Sequence, residues 1–229
     1  MIPKIEAFKK QRDILNVKDM IRLPETPYGS LSQKWLDIIQ RFDSINDKID
    51  EIYNCHEIFV RNRTEEFNEY RQAVISKLFS KSRCMNEELI YWLRKSTDEM
   101  ISLVYILDYL STHKMCPEKI EIESIGNLLK EKSLCVDFFG DYYDVLKTIN
   151  DVSNAYKHSF MNTETSNLLG RDEPCIFALS LSNNNLRKTP NFQSIGLTDF
   201  LIRYGEFCKS YKQLILKYQN EFFAPNSAK

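Results

Sequence analysis

Glycine and proline are scarce in this chain, at 6 and 7 of 229 residues. Both punctuate short strands and tight turns, so their scarcity argues against an all-β sandwich or barrel and for long helices. An excess of one charge is also missing, since 31 basic residues stand against 32 acidic ones and the formal net charge is -1. No bulk positive field attracts nucleic acid, and any such binding must rest on a local patch. Long apolar runs are lacking too. The best, Met100 to Leu110, is interrupted by Ser102 and Asp108 and is too short to span a bilayer. The opening residues, Met1 to Glu6, do not show the basic-then-apolar order of a secretory leader. A soluble, cytosolic protein with no membrane contact is the expectation.

Paired cysteines are absent as well. The six (Cys55, Cys84, Cys116, Cys135, Cys175 and Cys208) are scattered singly, with no C-x-x-C. The three histidines, His56, His113 and His158, have no companions at metal-ligand spacing. A structural metal is therefore not expected, and the thiols read as reduced core residues. There is no glycine-rich phosphate loop, no G-x-S-x-G and no His-Glu-x-x-His. NTPase, serine hydrolase and zinc protease thus lack their mechanical parts, and no cofactor is implied.

What the chain does have is helical periodicity on an ample apolar base, with 43% hydrophobic residues and 12% aromatics. Ile2 to about Arg22 reads as a first helix, closed by the proline- and glycine-bearing loop Leu23 to Gly29, after which Ser30 or Ser32 can cap the next helix. Ile38, Phe42, Ile45, Ile49, Ile52, His56 and Phe59 then follow the alternating four-three spacing of a coiled-coil-like seam. The helical pattern continues past a possible break near Asn62 and yields at Ser80-Lys81-Ser82.

Asn86 opens a further helix running to Leu110, with Arg94/Asp98 and Lys95/Glu99 at ion-pair spacing on its open face. The segment from Ser111 to Pro117, with His113, reads as a loop. A short helix from about Ile122 to Lys130 and a longer one from about Asp137 to His158 follow. Pro174 to Leu181 and Asn191 to Leu197 read as two strands around an Asn183-Asn184-Asn185 turn, before a last helix from Thr198 to Phe223. The expected architecture is all-α: an antiparallel helical bundle with a small β-hairpin inserted before the last helix. Residues 1–82 form a helical extension and residues 83–229 a second helical domain.

Candidate chemistry gathers on the helix that ends at His158. Val145, Ile149, Val152 and Tyr156 form its buried stripe. Asn150, Asn154 and His158 recur every four residues and stack on a neighbouring stripe. A histidine at a helix C-terminus can simply answer the negative end of the helix as a cap. It can equally pass protons near neutrality, with Asn154 one turn back to orient a bound group and Lys157 to supply a cation for a phosphate.

A helical domain whose core helix carries Asn154, three residues and then His158 resembles the HEPN superfamily, the higher eukaryotes and prokaryotes nucleotide-binding domain. That family's usual motif is an arginine, four to six intervening residues and a histidine, the first intervening residue often being Asn. The likeness covers about the last two thirds of the chain, from near Asn86 to Phe223. It implies metal-independent ribonuclease activity and homodimers that bring two such helices together, often in toxin–antitoxin or antiviral defence systems. On this reading His158 is the general acid/base, Asn154 positions the phosphate, and Lys157 or Arg94 neutralises it. One departure stands out: Asp151, Val152 and Ser153 occupy the positions where the arginine is expected. Its loss removes several kcal/mol of stabilisation from the charge that develops on a scissile phosphate. A catalytically silent module binding RNA, a nucleotide or a partner protein is the alternative, and a purely structural protein built on the Ile38–Phe59 seam is a third. The seam also argues for self-association, because its length can exceed what one chain covers.

Overall fold

Ser30 begins the first long helix as a cap, its Oγ accepting the Gln33 N–H at 3.4 Å. Ser32 ties down the chain ahead of that helix, its Oγ accepting the Leu23 N–H at 2.8 Å. The computed structural model describes residues 2–8, 21–27, 29–63, 69–131, 133–158, 172–180, 185 and 187–223. Strands β1 (Glu25–Thr26) and β2 (Gly29–Ser30) pair as a minimal hairpin where the proline-bearing loop was expected. Helices α1 (Leu31–Arg63) and α2 (Glu69–His113) follow, then the shorter α3 (Ile125–Glu131) and α4 (Val136–Gly140). Helix α5 (Tyr143–His158), strands β3 (Cys175–Ser180) and β4 (Asn191–Gly196) and helix α6 (Leu197–Phe223) complete the described chain. The protein is mainly helical, with its longer hairpin directly before the last helix, as its periodicity predicts.

Several boundaries differ from the sequence reading. Residues 2–5 and 21–24 are not helical and Glu6–Phe8 is a single 3₁₀ turn; the rest of the expected first helix lies outside the described residues. Helix α2 runs unbroken through Ser80–Ser82, where a stop was expected, because that stretch holds neither glycine nor proline and Arg83 bridges to Glu87 at 3.1 Å. Residue 82, the expected end of the helical extension, therefore lies inside a helix. Asn86 is no cap. It is buried in mid-helix and donates its amide to the Cys175 carbonyl at 3.2 Å. His113 ends α2 rather than sitting in a loop, with its ring stacked 4.1 Å from that of Tyr109. The first turn expected in the His158 helix, from about Asp137, instead forms α4, separated from α5 by a turn at Asp141–Tyr142. The expected Asn183–Asn185 turn falls largely outside the described residues.

The contacts divide the chain into two compact units, each drawing on three stretches. The first comprises Met1–Lys4, Ile45–Arg94 and Val145–Arg203. Its core is aliphatic: Ile49 and Ile52 of α1, Leu89 and Leu93 of α2, Ile149 and Val152 of α5, and Ile176 of β3 are all fully buried. Within it α1 and α2 run antiparallel, with Lys48 at 3.0 Å from Glu88. The β3–β4 register pairs Cys175 with Gly196 and Ser180 with Asn191. The hairpin leads straight into α6: the Leu197 N–H donates to the Pro174 carbonyl at 2.9 Å and the Thr198 N–H to the Glu173 carboxylate at 3.4 Å. Gly196 leaves room for that Glu173 carboxylate, which a Cβ there would push aside.

The second unit comprises Ile5–Ser44, Lys95–Asp144 and Tyr204–Lys229 and has an aromatic core. Trp35 stacks on Tyr211 with centroids 6.1 Å apart, and Phe42 on Tyr204 at 6.3 Å, so α1 and α6 are antiparallel here. Thr97 bonds Tyr204 at 3.0 Å, the Met100 carbonyl accepts from Tyr211 at 2.9 Å, and Asp108 accepts from Tyr218 at 3.0 Å. Residue numbers rise together in those pairs, so α2 and α6 are parallel. Burial pushes the phenols of Tyr204 and Tyr211 well above their ordinary titration range, which keeps them neutral.

Candidate functional site

Helix α5 forms as its spacing predicts. Val145, Leu146, Ile149, Val152, Ser153 and Ala155 are buried, while Asn154, Lys157 and His158 are exposed. Tyr156 closes the buried stripe and donates its hydroxyl to the Phe177 carbonyl at 3.2 Å, which anchors the end of α5 to β3. Burial drives that phenol far above its usual range, with Glu87 adding to the shift and Arg83 opposing it. The exposed face is thus held still from behind.

Arg94 of α2 reaches this face. Its Nη1 lies 3.3 Å from Asn154 Oδ1 and 3.4 Å from the Asn150 carbonyl oxygen. The side chain of Asn154 is therefore already oriented by a guanidinium from another helix. Arg94 stands beside the helix whose own sequence lacks the motif arginine, because Asp151 is an acid bonded to Lys147 and Val152 and Ser153 are buried. Asn150 donates its amide to the carboxylate of the adjacent Asp151 at 3.3 Å. Lys157 and His158, three and four residues beyond Asn154, are placed on the last turn by helix position and are open to solvent.

Of the four residues singled out in the sequence, Arg94 and Asn154 are brought together by a hydrogen bond. The Asn150 carbonyl, which also binds Arg94, carries no sequence signal, since every residue has one and only packing selects it. Among the described residues no group of three or more His, Cys, Asp and Glu side chains is placed to hold a metal ion. No described helix is long and apolar enough to cross a membrane.

Away from this face, the first unit has a concavity of about 390 Å³ between α1, the approach to β3 and the start of α6. Tyr53, His56, Glu57, Asp172, Glu173 and Thr198 are among its walls. Tyr53 and Thr198 are joined hydroxyl to hydroxyl at 2.8 Å, and Glu173 is already committed to the first turn of α6. In comparisons with known proteins, no family model, no curated protein and no solved structure matches the chain.

Proposed function

We propose that this chain is a HEPN-like module that takes RNA as its ligand and cleaves it without a metal. A phosphodiester lies against Arg94, Asn154 and Lys157, and His158 transfers the proton. The observation that carries this reading is the Arg94–Asn154 hydrogen bond, which brings a guanidinium from α2 to the helix that has no arginine of its own. A guanidinium is suited to the task, because its fork of donors can bind two phosphate oxygens while keeping its charge.

In such a cleavage the ribose 2′-oxygen attacks phosphorus and gives its proton to a base. The 5′-oxygen leaves with a proton from an acid, and a 2′,3′-cyclic phosphate remains. Arg94 offsets the charge growing on the non-bridging oxygens. One chain brings a single histidine to the column, so a second copy completes the acid–base pair, in keeping with the homodimer that the family resemblance implies. A toxin or antiviral setting rests on the same resemblance.

Purified protein in excess chelator should cleave single-stranded RNA to cyclic-phosphate ends. His158→Ala should abolish this while shifting the melting temperature by only a few degrees, since an exposed terminal histidine contributes about 1 kcal/mol or less. Binding without cleavage would leave the second reading, a catalytically silent module for RNA, a nucleotide or a partner protein. That reading is favoured by Asp151, an acid where the motif places its arginine. If the protein neither binds nor cleaves RNA, the RNA reading fails altogether.

A further inference from the structure

Tyr91 of α2 is 46% exposed, although it is one of the larger apolar side chains of the first unit. It lies three residues before Arg94, so the two side chains are neighbours on one helical surface, with Cβ atoms about 5–6 Å apart. The direction from Arg94 to Tyr91 matters. Arg94 meets Asn150 and Asn154, whereas Asn86, earlier in α2, bonds the Cys175 carbonyl of β3, the strand to which Tyr156 near the end of α5 is also bonded. Helices α2 and α5 are therefore antiparallel, and a step back from Arg94 to Tyr91 advances about 4.5 Å toward the His158 end of α5.

The Tyr91 ring is braced by Trp92, with which it makes an edge contact at 5.1 Å between centroids and 74° between planes. The acid one turn further on, Glu87, is paired with Arg83 at 3.1 Å, which limits its repulsion of a phosphate. An open, braced aromatic ring one helical turn from a phosphate-binding guanidinium is the arrangement used to stack an unpaired base beside its own backbone.

We propose that Tyr91 is the base-stacking residue of this site, taking one unpaired base of the single-stranded RNA against its ring. This rests on the phosphate-binding role of Arg94 and Asn154 argued above. A duplex keeps its bases stacked on one another and presents no free face to the ring, whereas a single strand can splay one out. Tyr91 thus sets the preference for strand state, and Arg94 the affinity for backbone.

The test uses the full chain and three labelled probes of equal length: a mixed-sequence RNA strand, its duplex, and an abasic ribose-phosphate strand. The wild type should bind the single strand about tenfold more tightly than either other probe, the contribution of one stacked base. Tyr91→Ala should lose about that tenfold on the single strand and nothing on the abasic strand, while Tyr91→Phe keeps the wild-type pattern. Both substitutions fall on the open face, and unchanged melting temperatures would exclude misfolding. If all three probes bind equally and Tyr91→Ala matches the wild type, the stacking inference is overturned and the phosphate reading stands. If the wild type binds none of them, both fall together.

Discussion

Glu99 shows how much one residue's setting exceeds its sequence neighbourhood. Spacing along α2 pairs it with Lys95, and that bridge is present at 3.1 Å. Tertiary packing adds Lys34 and Arg41 of α1, each at 3.0 Å, so three cations converge on one carboxylate that is only 17% exposed. Burial alone would raise its pKa, but the hydrogen bonds from Lys34, Lys95 and Arg41 outweigh it and hold the group below its ordinary value. A depressed carboxylate contributes stability that is fully present above the unfolded-state pKa and is lost as pH falls through the folded one. Glu99→Gln should therefore cost about 2 kcal/mol at pH 7, or roughly 4–8 °C in melting temperature for a chain of this size. The gap to the wild type should narrow as the pH is taken down below 4. A melting-temperature deficit independent of pH would show that shape, not charge, is what the substitution removed.

The junction of β3, β4 and α6 repays attention at the level of elements. Glu173 accepts an N–H of the first turn of α6, and Gly196 leaves room for its carboxylate. Gly196→Ala should displace that carboxylate, uncap the helix and destabilise the chain by about 1–3 kcal/mol, measured by denaturant titration. Gly140 provides the control, since a Cβ there meets nothing within 4 Å and Gly140→Ala should be neutral or slightly stabilising. Equal losses at the two sites would remove the Glu173 contact as the cause. The strand pair and α6 were legible because alternation and helical spacing are local properties of the chain. The continuity of α2 was not. Its polar residues at Ser80–Ser82 and Asn86 look like a boundary in one dimension, whereas Asn86 bonds to Cys175, 89 residues away, and so acts as an anchor.

For the molecule as a whole, self-association loses one of its two supports. Ile38, Phe42, Ile45, Ile49 and Ile52 of the long seam are at most 1% exposed within a single chain. They are covered by the chain itself and leave no stripe for a coiled-coil partner. The remaining support is the family resemblance, together with the need of a metal-free cleavage for a second proton-transfer group. Light scattering at micromolar concentration should give twice the 27.1 kDa chain mass. A monomer at all concentrations would remove the second histidine and with it the cleavage mechanism, though not RNA binding.

Helical class, the late hairpin and the buried stripe of α5 were all determined by the sequence itself. Each follows from a repeat of two, three or four residues, and such repeats act over distances that the local backbone sets. Which cation faces Asn154, which carbonyl shares it, and what buries the Ile38 seam were decided by tertiary structure alone. The Arg94 contacts join residues more than fifty positions apart, and no periodicity within one helix states which other helix will pack beside it.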